Sequence, residues 1–126
     1  MRLNTLLLVA GLLALGFGLS FLLAPGAVLP LYGIEPHAAT VLMSRFFGGT
    51  LVHLGTALAL VREVRDPGTQ RGLVLAGVVG SGAGLAVALM GQFSGVVNAI
   101  GWSTVVIYGI LLLGYASHLR ARPLPA

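Results

Sequence analysis

Four long runs of apolar residues, separated by short polar or proline-rich segments, dominate the pattern of this chain. The runs cover about residues 3–24, 39–61, 72–91 and 97–117. Crossing the roughly 30 Å hydrocarbon core of a bilayer takes about 20 helical residues, so each run is long enough to span it. No stretch alternates apolar and polar residues as the strands of a membrane β-barrel do. We therefore predict an all-α integral membrane four-helix bundle, with residues 1–126 as one domain.

The connections between these spans differ in polarity. Residues 25–38 contain three prolines but stay apolar, so we expect a loop lying in the membrane interface. Residues 62–71 form the hydrophilic connection, and residues 92–96 are expected to form a tight turn. Neither a repeat nor a change in composition marks a second domain in the sequence.

Composition strengthens the membrane interpretation, since 57% of the residues are hydrophobic and only 8% are charged. A water-soluble domain of this size needs far more charge to cover its surface. The pI near 10.8 comes from seven arginines that stand at the ends of apolar runs, so we expect the lipid bilayer as a partner and no nucleic acid. Cysteine is absent, which excludes disulfides and cysteine-based metal sites.

The arginines also predict orientation. With four spans, the N-terminus, residues 62–71 and the C-terminus share one side, and Arg45 alone lies on the other. The shared side holds six arginines: Arg2, Arg62, Arg65, Arg71, Arg120 and Arg122. Because basic residues are retained on the cytoplasmic side, we predict that both termini are cytoplasmic.

Two helices carry stripes that predict packing. In the third span, small residues recur every four positions at Ala76, Gly80, Gly84 and Ala88. Such a stripe lets two helices approach closely; the alternative is a groove for a ligand.

In the second span, small residues form a stripe at Gly48, Val52, Gly55 and Ala59. The more polar residues beside this stripe are expected to face protein: Arg45, Gly49, His53 and Thr56. Large apolar residues should then face lipid: Phe47, Leu51, Leu54 and Leu58.

Two polar clusters are the candidate sites. The outer cluster lies near the non-cytoplasmic boundary and comprises Glu35, Arg45, Gln92, Ser94, Asn98 and Trp102. It is either a polar clasp that fixes the loops or a site for an anion or lipid headgroup, since Arg45 is the only cation there.

The midplane cluster comprises His53, Ser81 and Tyr108, at comparable depth in three spans. A neutral His53 donating to Tyr108 or Ser81 would be ordinary interhelical bonding, and proton or quinone handling is the functional alternative. Haem ligation would need a second histidine at the same depth, which His37 and His118 cannot supply. We therefore expect no cofactor, no metal site and no catalytic residues.

Three segments carry a resemblance to a known group of proteins. They are the apolar loop that ends at Gly33, the Arg45-Phe46-Phe47-Gly48-Gly49 run, and residues 95–102 at the head of the fourth span. The whole chain resembles uncharacterised small four-span bacterial membrane proteins, loosely akin to DoxX-like proteins. The resemblance implies a multi-pass protein of the bacterial cytoplasmic (inner) membrane and transfers no active site.

The function that the sequence favours is a non-enzymatic oligomeric scaffold or accessory subunit of a membrane complex. Its basis is the set of 19 glycines, many of them in stripes on the predicted helices, together with the scarcity of ionisable groups within the spans. This predicts a homo-oligomer or a larger complex. A small oligomeric transporter or channel is one alternative, and a membrane redox or lipid-modifying enzyme is another.

Overall fold

The structure, a computed structural model, describes residues 1–120, the last of them through its backbone only. Its helices are α1 (Leu3–Leu23), α2 (Pro25–Leu31), α3 (Ala38–Val61), α4 (Pro67–Phe93) and α5 (Gly101–Arg120). Four of these, α1, α3, α4 and α5, are long and apolar enough to cross a membrane. The predicted all-α class and the four long apolar helices are confirmed.

The connections contain more helix than we expected. Residues 25–38 are not all loop, because Pro25 opens the seven-residue helix α2; proline suits a first helical turn, where no hydrogen-bond donor is needed. Helix α4 begins at Pro67 and not near residue 72, because the Asp66 carboxylate accepts a hydrogen bond from the Thr69 N–H at 2.8 Å. Conversely, α5 begins only at Gly101, so the turn after α4 is longer than predicted.

Helices α1 and α3 pack closely because glycines face one another at two levels. A Cβ added at Gly48 would lie 2.7 Å from the Gly18 carbonyl oxygen, and one at Gly55 would lie 2.6 Å from the Gly11 carbonyl oxygen. Only hydrogen fits at these positions, so the two backbones lie nearly in contact, as small residues permit between membrane helices. The predicted small-residue stripe of α3 is thus a packing face, and its partner is α1.

Helices α4 and α5 pack differently, with aromatic rings lying over glycines. The Tyr108 ring covers Gly84. The Tyr115 ring covers Gly77, about two turns closer to the start of α4. Tyr115 is buried, at 3% exposure. Because Gly77 and Gly84 have no side chain, the two tyrosine rings fit between α4 and α5.

The two pairs, α1–α3 and α4–α5, touch chiefly along α1 and α5. Within the described residues, α3 and α4 do not approach each other closely, and neither do α1 and α4. One apolar cluster joins the pairs, and it consists of Leu6, Leu7, Ala10, Leu58 and Tyr115. The arrangement is more open than the compact bundle that we expected, and it leaves a cleft between the pairs.

Candidate functional site

A cleft of about 430 Å³ lies between the two helix pairs. All four long helices contribute to its walls. At one end lie Phe21, Tyr32 and Phe47, with the Phe21 ring 5.3 Å from the Phe47 ring in an edge-to-face contact. At the other end lie Val61, Leu73 and Tyr115. The cleft therefore follows the long helices over most of their length.

The wall contributed by α3 is the face that we expected to meet lipid. Its lining residues are Phe47, Leu51, Leu54, Ala57, Leu58 and Val61. Of the four residues that we expected to face lipid, Leu58 is buried in the apolar cluster, whereas Phe47 and Leu54 stay 45% and 46% exposed. The contact of Gly48 and Gly55 with α1 fixes the rotation of α3, and this rotation turns the large apolar residues toward the cleft.

The wall contributed by α4 carries part of the predicted small-residue stripe. Ala76 and Gly80 line the cleft, and a Cβ added at Gly80 would meet no atom within 4 Å. Gly84 instead lies beneath the Tyr108 ring, and Ala88 is half-buried farther along the helix. The four stripe residues thus do not share one partner: the first half faces the open cleft and Gly84 packs against α5.

The polar groups that line the cleft are hydroxyls. Ser81 and Tyr108 reach it from facing helices, and Thr104 lies one turn before Tyr108 on α5. Ser81 is buried, at 6% exposure. Among the described lining residues there is no charged side chain. The cleft therefore suits an apolar occupant with at most a few hydrogen-bonding groups.

His53 does not join Ser81 and Tyr108. Its side chain is exposed on the outside of α3, away from the cleft, and no hydrogen bond in the described part of the chain involves it. The midplane cluster is therefore assembled only in part, with its two hydroxyl members together and its imidazole elsewhere. The glycine contact between α1 and α3, which sets the rotation of α3, is the physical reason.

Asn98 is the centre of the outer cluster as the structure shows it. Its Nδ2 donates to the Leu31 carbonyl oxygen at 3.0 Å, and its backbone N–H donates to the Tyr32 carbonyl oxygen at 3.0 Å. Gln92 Nε2 in turn donates to the Asn98 carbonyl oxygen at 3.0 Å. These bonds tie the loop between α4 and α5 to the end of α2. Gly33, with a φ of +75°, forms a tight turn next to the two carbonyl acceptors. We did not predict these acceptors, because they are backbone atoms.

The other members of the outer cluster lie apart from Asn98. Trp102 packs edge-on against Phe93 with ring centroids 5.9 Å apart, and Ser94 Oγ donates to the Gly91 carbonyl oxygen at 3.2 Å. Glu35 Oε2 lies 3.4 Å from His37 Nε2, with both side chains exposed.

Arg45 makes no ion pair or hydrogen bond among the described residues. Arg45 and Glu35, both members of the predicted outer cluster, therefore do not pair. Glu35 precedes α3, whereas Arg45 lies two turns inside it and is exposed on a different side.

A second concavity, of about 840 Å³, lies at the opposite end of the molecule from Asn98. We call this the basic end; it brings together the N-terminus, residues 62–65, the first turns of α4 and the end of α5. Four arginines line it: Arg2, Arg62, Arg65 and Arg71. Their positions in the sequence indicated orientation only, because Arg2 is distant from the other three along the chain and nothing in the sequence shows that they share one cavity. Arg122 lies outside the described residues.

Comparison of the chain with protein-family models, with curated proteins and with solved structures finds no match. The resemblance to small four-span bacterial membrane proteins therefore stays a prediction. Among the described residues, no group of three or more histidines and carboxylates is placed to hold a metal ion.

Proposed function

We propose that this chain is a non-enzymatic, multi-pass protein of the bacterial cytoplasmic membrane, with both termini in the cytoplasm. In this proposal it acts as an oligomeric scaffold or accessory subunit, and the cleft between its helix pairs receives a transmembrane helix of another subunit. A second copy of the chain is the first occupant to test. The observation that carries the proposal is the open cleft itself. The cleft exists because the two helix pairs touch chiefly along α1 and α5 and do not pack against each other over their whole length.

The lining of the cleft supports a helix as its occupant. Ala76 and Gly80 form a floor of small residues on α4, and helices in lipid associate through dispersion contacts at such surfaces. Aliphatic side chains from α3 form the facing wall. A helix seated between them would gain contacts on both sides, whereas on the outer faces it would meet one helix at a time.

The position of the ionisable groups also favours assembly over transport. A transport path built on His53 and Arg45 would need both side chains on one cavity. Both are exposed outside the cleft, so the proposal of a channel or transporter has no support from their placement.

A second candidate is the handling of a small lipid-like molecule, such as a quinone, in the same cleft. One observation favours it, namely the hydroxyl-bearing residues on the cleft walls, which include Ser81, Thr104 and Tyr108. Hydroxyls in apolar surroundings need hydrogen-bond partners, and a carbonyl group of a ligand would provide them. This candidate corresponds to the redox or lipid-modifying alternative.

One experiment on Gly80 distinguishes the two candidate functions. Gly80→Leu places a large side chain in the cleft, and its Cβ would meet no atom within 4 Å. We expect this variant to keep its helix content and to lose its partner subunits, because the cleft is filled. Native mass spectrometry from mild detergent reads subunit number, bound polypeptides and retained small molecules together.

Gly82→Leu is the matched control, since Gly82 lies on the same helix, also has open space and does not line the cleft. It should assemble like the unaltered chain. A retained small molecule that only Gly80→Leu loses would favour the second candidate. An unaltered oligomer in Gly80→Leu, or a chain that binds neither a subunit nor a ligand, would refute the proposal.

A further inference from the structure

The basic end concentrates arginines from separate parts of the chain in one concavity. Arg2 precedes α1, Arg62 and Arg65 follow α3, and Arg71 lies in the second turn of α4. His118, near the end of α5, lines the same space. Retention of basic residues in the cytoplasm requires arginines near the ends of the spans, but it does not require that their side chains line one cavity. The convergence therefore calls for a separate explanation.

The charges of this concavity are poorly balanced. Its single lining carboxylate, Glu63, lies 3.5 Å from Arg62 and is largely exposed. The nearby Asp66 carboxylate accepts hydrogen bonds from Thr69 and does not line the space. Arg2, Arg65 and Arg71 have no ion pair within the described residues. Three guanidinium groups thus face the concavity without an acidic partner.

One arginine is held in place and the floor beneath is apolar. Arg62 Nη1 donates to the Ala59 carbonyl oxygen at 2.8 Å, which fixes its side chain at the end of α3. Leu3, Leu7 and Val74 form the part of the lining that faces the core, with Leu7 at 1% and Val74 at 3% exposure. A polar, cationic rim above an apolar floor fits a ligand that is anionic at one end and apolar at the other.

We propose that the basic end is a binding site for a phosphate group, supplied by an anionic phospholipid such as phosphatidylglycerol. A guanidinium donates two parallel hydrogen bonds to phosphate oxygens, so arginine suits this group better than lysine does. The apolar floor accounts for the glycerol and the first carbons of the acyl chains. A soluble phosphate compound offers the same anionic chemistry without the apolar part. This inference does not depend on what occupies the cleft between the helix pairs.

The test uses the full chain in nanodiscs that contain phosphatidylglycerol and phosphatidylcholine. Native mass spectrometry after release gives the ratio of the two lipids retained on the protein. We expect the unaltered chain to retain phosphatidylglycerol preferentially. Arg65→Gln and Arg71→Gln should each lower that preference about fivefold, the factor expected for one basic residue near an anionic surface.

A variant with the opposite effect guards against simple loss of folding. Glu63→Gln removes the only carboxylate among the described lining residues and should raise the preference for phosphatidylglycerol, which a damaged protein would not do. Arg45→Gln is the control, since Arg45 is exposed at the other end of the molecule and should leave the ratio unchanged.

Inorganic phosphate distinguishes the two sources of the ligand. If it raises the melting temperature in phosphatidylcholine nanodiscs relative to chloride at equal ionic strength, and Arg71→Gln abolishes the rise, the site takes soluble phosphate. Preference for phosphatidylglycerol without this rise assigns the lipid. The proposal is wrong if neither ligand has an effect, or if Arg45→Gln lowers lipid retention as much as Arg65→Gln does.

Discussion

At the scale of single residues, two adjacent glycines in α3 show how the same residue type has different roles. A Cβ added at Gly48 would lie 2.5 Å from the Leu22 backbone nitrogen, inside the distance that real Cβ atoms keep. A Cβ added at Gly49 would meet nothing within 4 Å. Gly48 is therefore required by the approach of α1, whereas Gly49 is not required by any contact within the described chain.

We expect Gly48→Ala to destabilise the protein by about 1–3 kcal/mol, because the added methyl group forces α1 and α3 apart. Gly49→Ala should cost nothing and could gain up to about 1 kcal/mol, because alanine favours helix over glycine. Thermal unfolding in the same detergent, followed by circular dichroism, compares the two. Equal melting temperatures for both variants would contradict the close packing of α1 on α3.

The sequence could predict part of this at the residue scale. The stripe of Gly48, Val52, Gly55 and Ala59 was recognised because its members recur with helical spacing. The glycines of α1 that receive it, Gly11 and Gly18, lie on one face with Ala14 between them, a small-residue pattern that our prediction did not use. His53 could not be placed from sequence either, because its surroundings depend on a rotation of α3 that is set by contacts with another helix.

At the scale of the helices, the beginning of α4 is set by one side chain. The Asp66 carboxylate accepts hydrogen bonds from the Thr69 hydroxyl at 2.7 Å and from the Thr69 N–H at 2.8 Å. These bonds, the hydroxyl bond foremost, lower the pKa of Asp66 below its ordinary value of 3.8. Pro67, which follows, needs no hydrogen-bond partner for its nitrogen. The helix therefore starts earlier than the apolar pattern predicts.

The lowered pKa of Asp66 predicts how the start of α4 responds to acid. Since the charged carboxylate is favoured in the folded state, its contribution to stability is present above pH 3.8 and is lost as the pH falls through the lowered pKa. Amide hydrogen exchange of residues 68–70 should therefore accelerate below pH 3.8 relative to Asp66→Asn, which does not titrate. Comparison of the two proteins at each pH cancels the intrinsic pH dependence of exchange. Identical ratios at all pH values would show that this carboxylate does not control the helix end.

At the scale of the whole molecule, the four apolar runs predicted the helices but not how they pair. Length and hydropathy identify a span, because a bilayer sets both. Neither quantity distinguishes a face that meets lipid from one that meets protein, so neither predicted that the large apolar face of α3 lines a cleft. Asn98 was included in the outer cluster, but its acceptors are backbone carbonyls, which a sequence pattern does not display.

The proposed orientation of the whole molecule has a direct test, since the chain contains no cysteine. Glu35 and Glu63 make a matched pair, with side chains 79% and 80% exposed at opposite ends of the molecule. In intact cells, a membrane-impermeant maleimide should label Glu35→Cys and should label Glu63→Cys only after permeabilisation. Labelling of Glu63→Cys in intact cells would reverse the proposed topology.

The pairing of α1 with α3 and of α4 with α5 has a consequence for how the protein is made. Each pair consists of neighbours along the chain, so the first is complete in sequence before the ribosome has synthesised α4. It can therefore form while the second is still being inserted, and early packing needs no segment that arrives late. The bonds from Asn98 to Leu31 and Tyr32 form later, since they join the segment between α1 and α3 to the loop that precedes α5. Assembly of the molecule thus follows the direction of translation, and the hydrogen bonds of Asn98 form after those of the first pair.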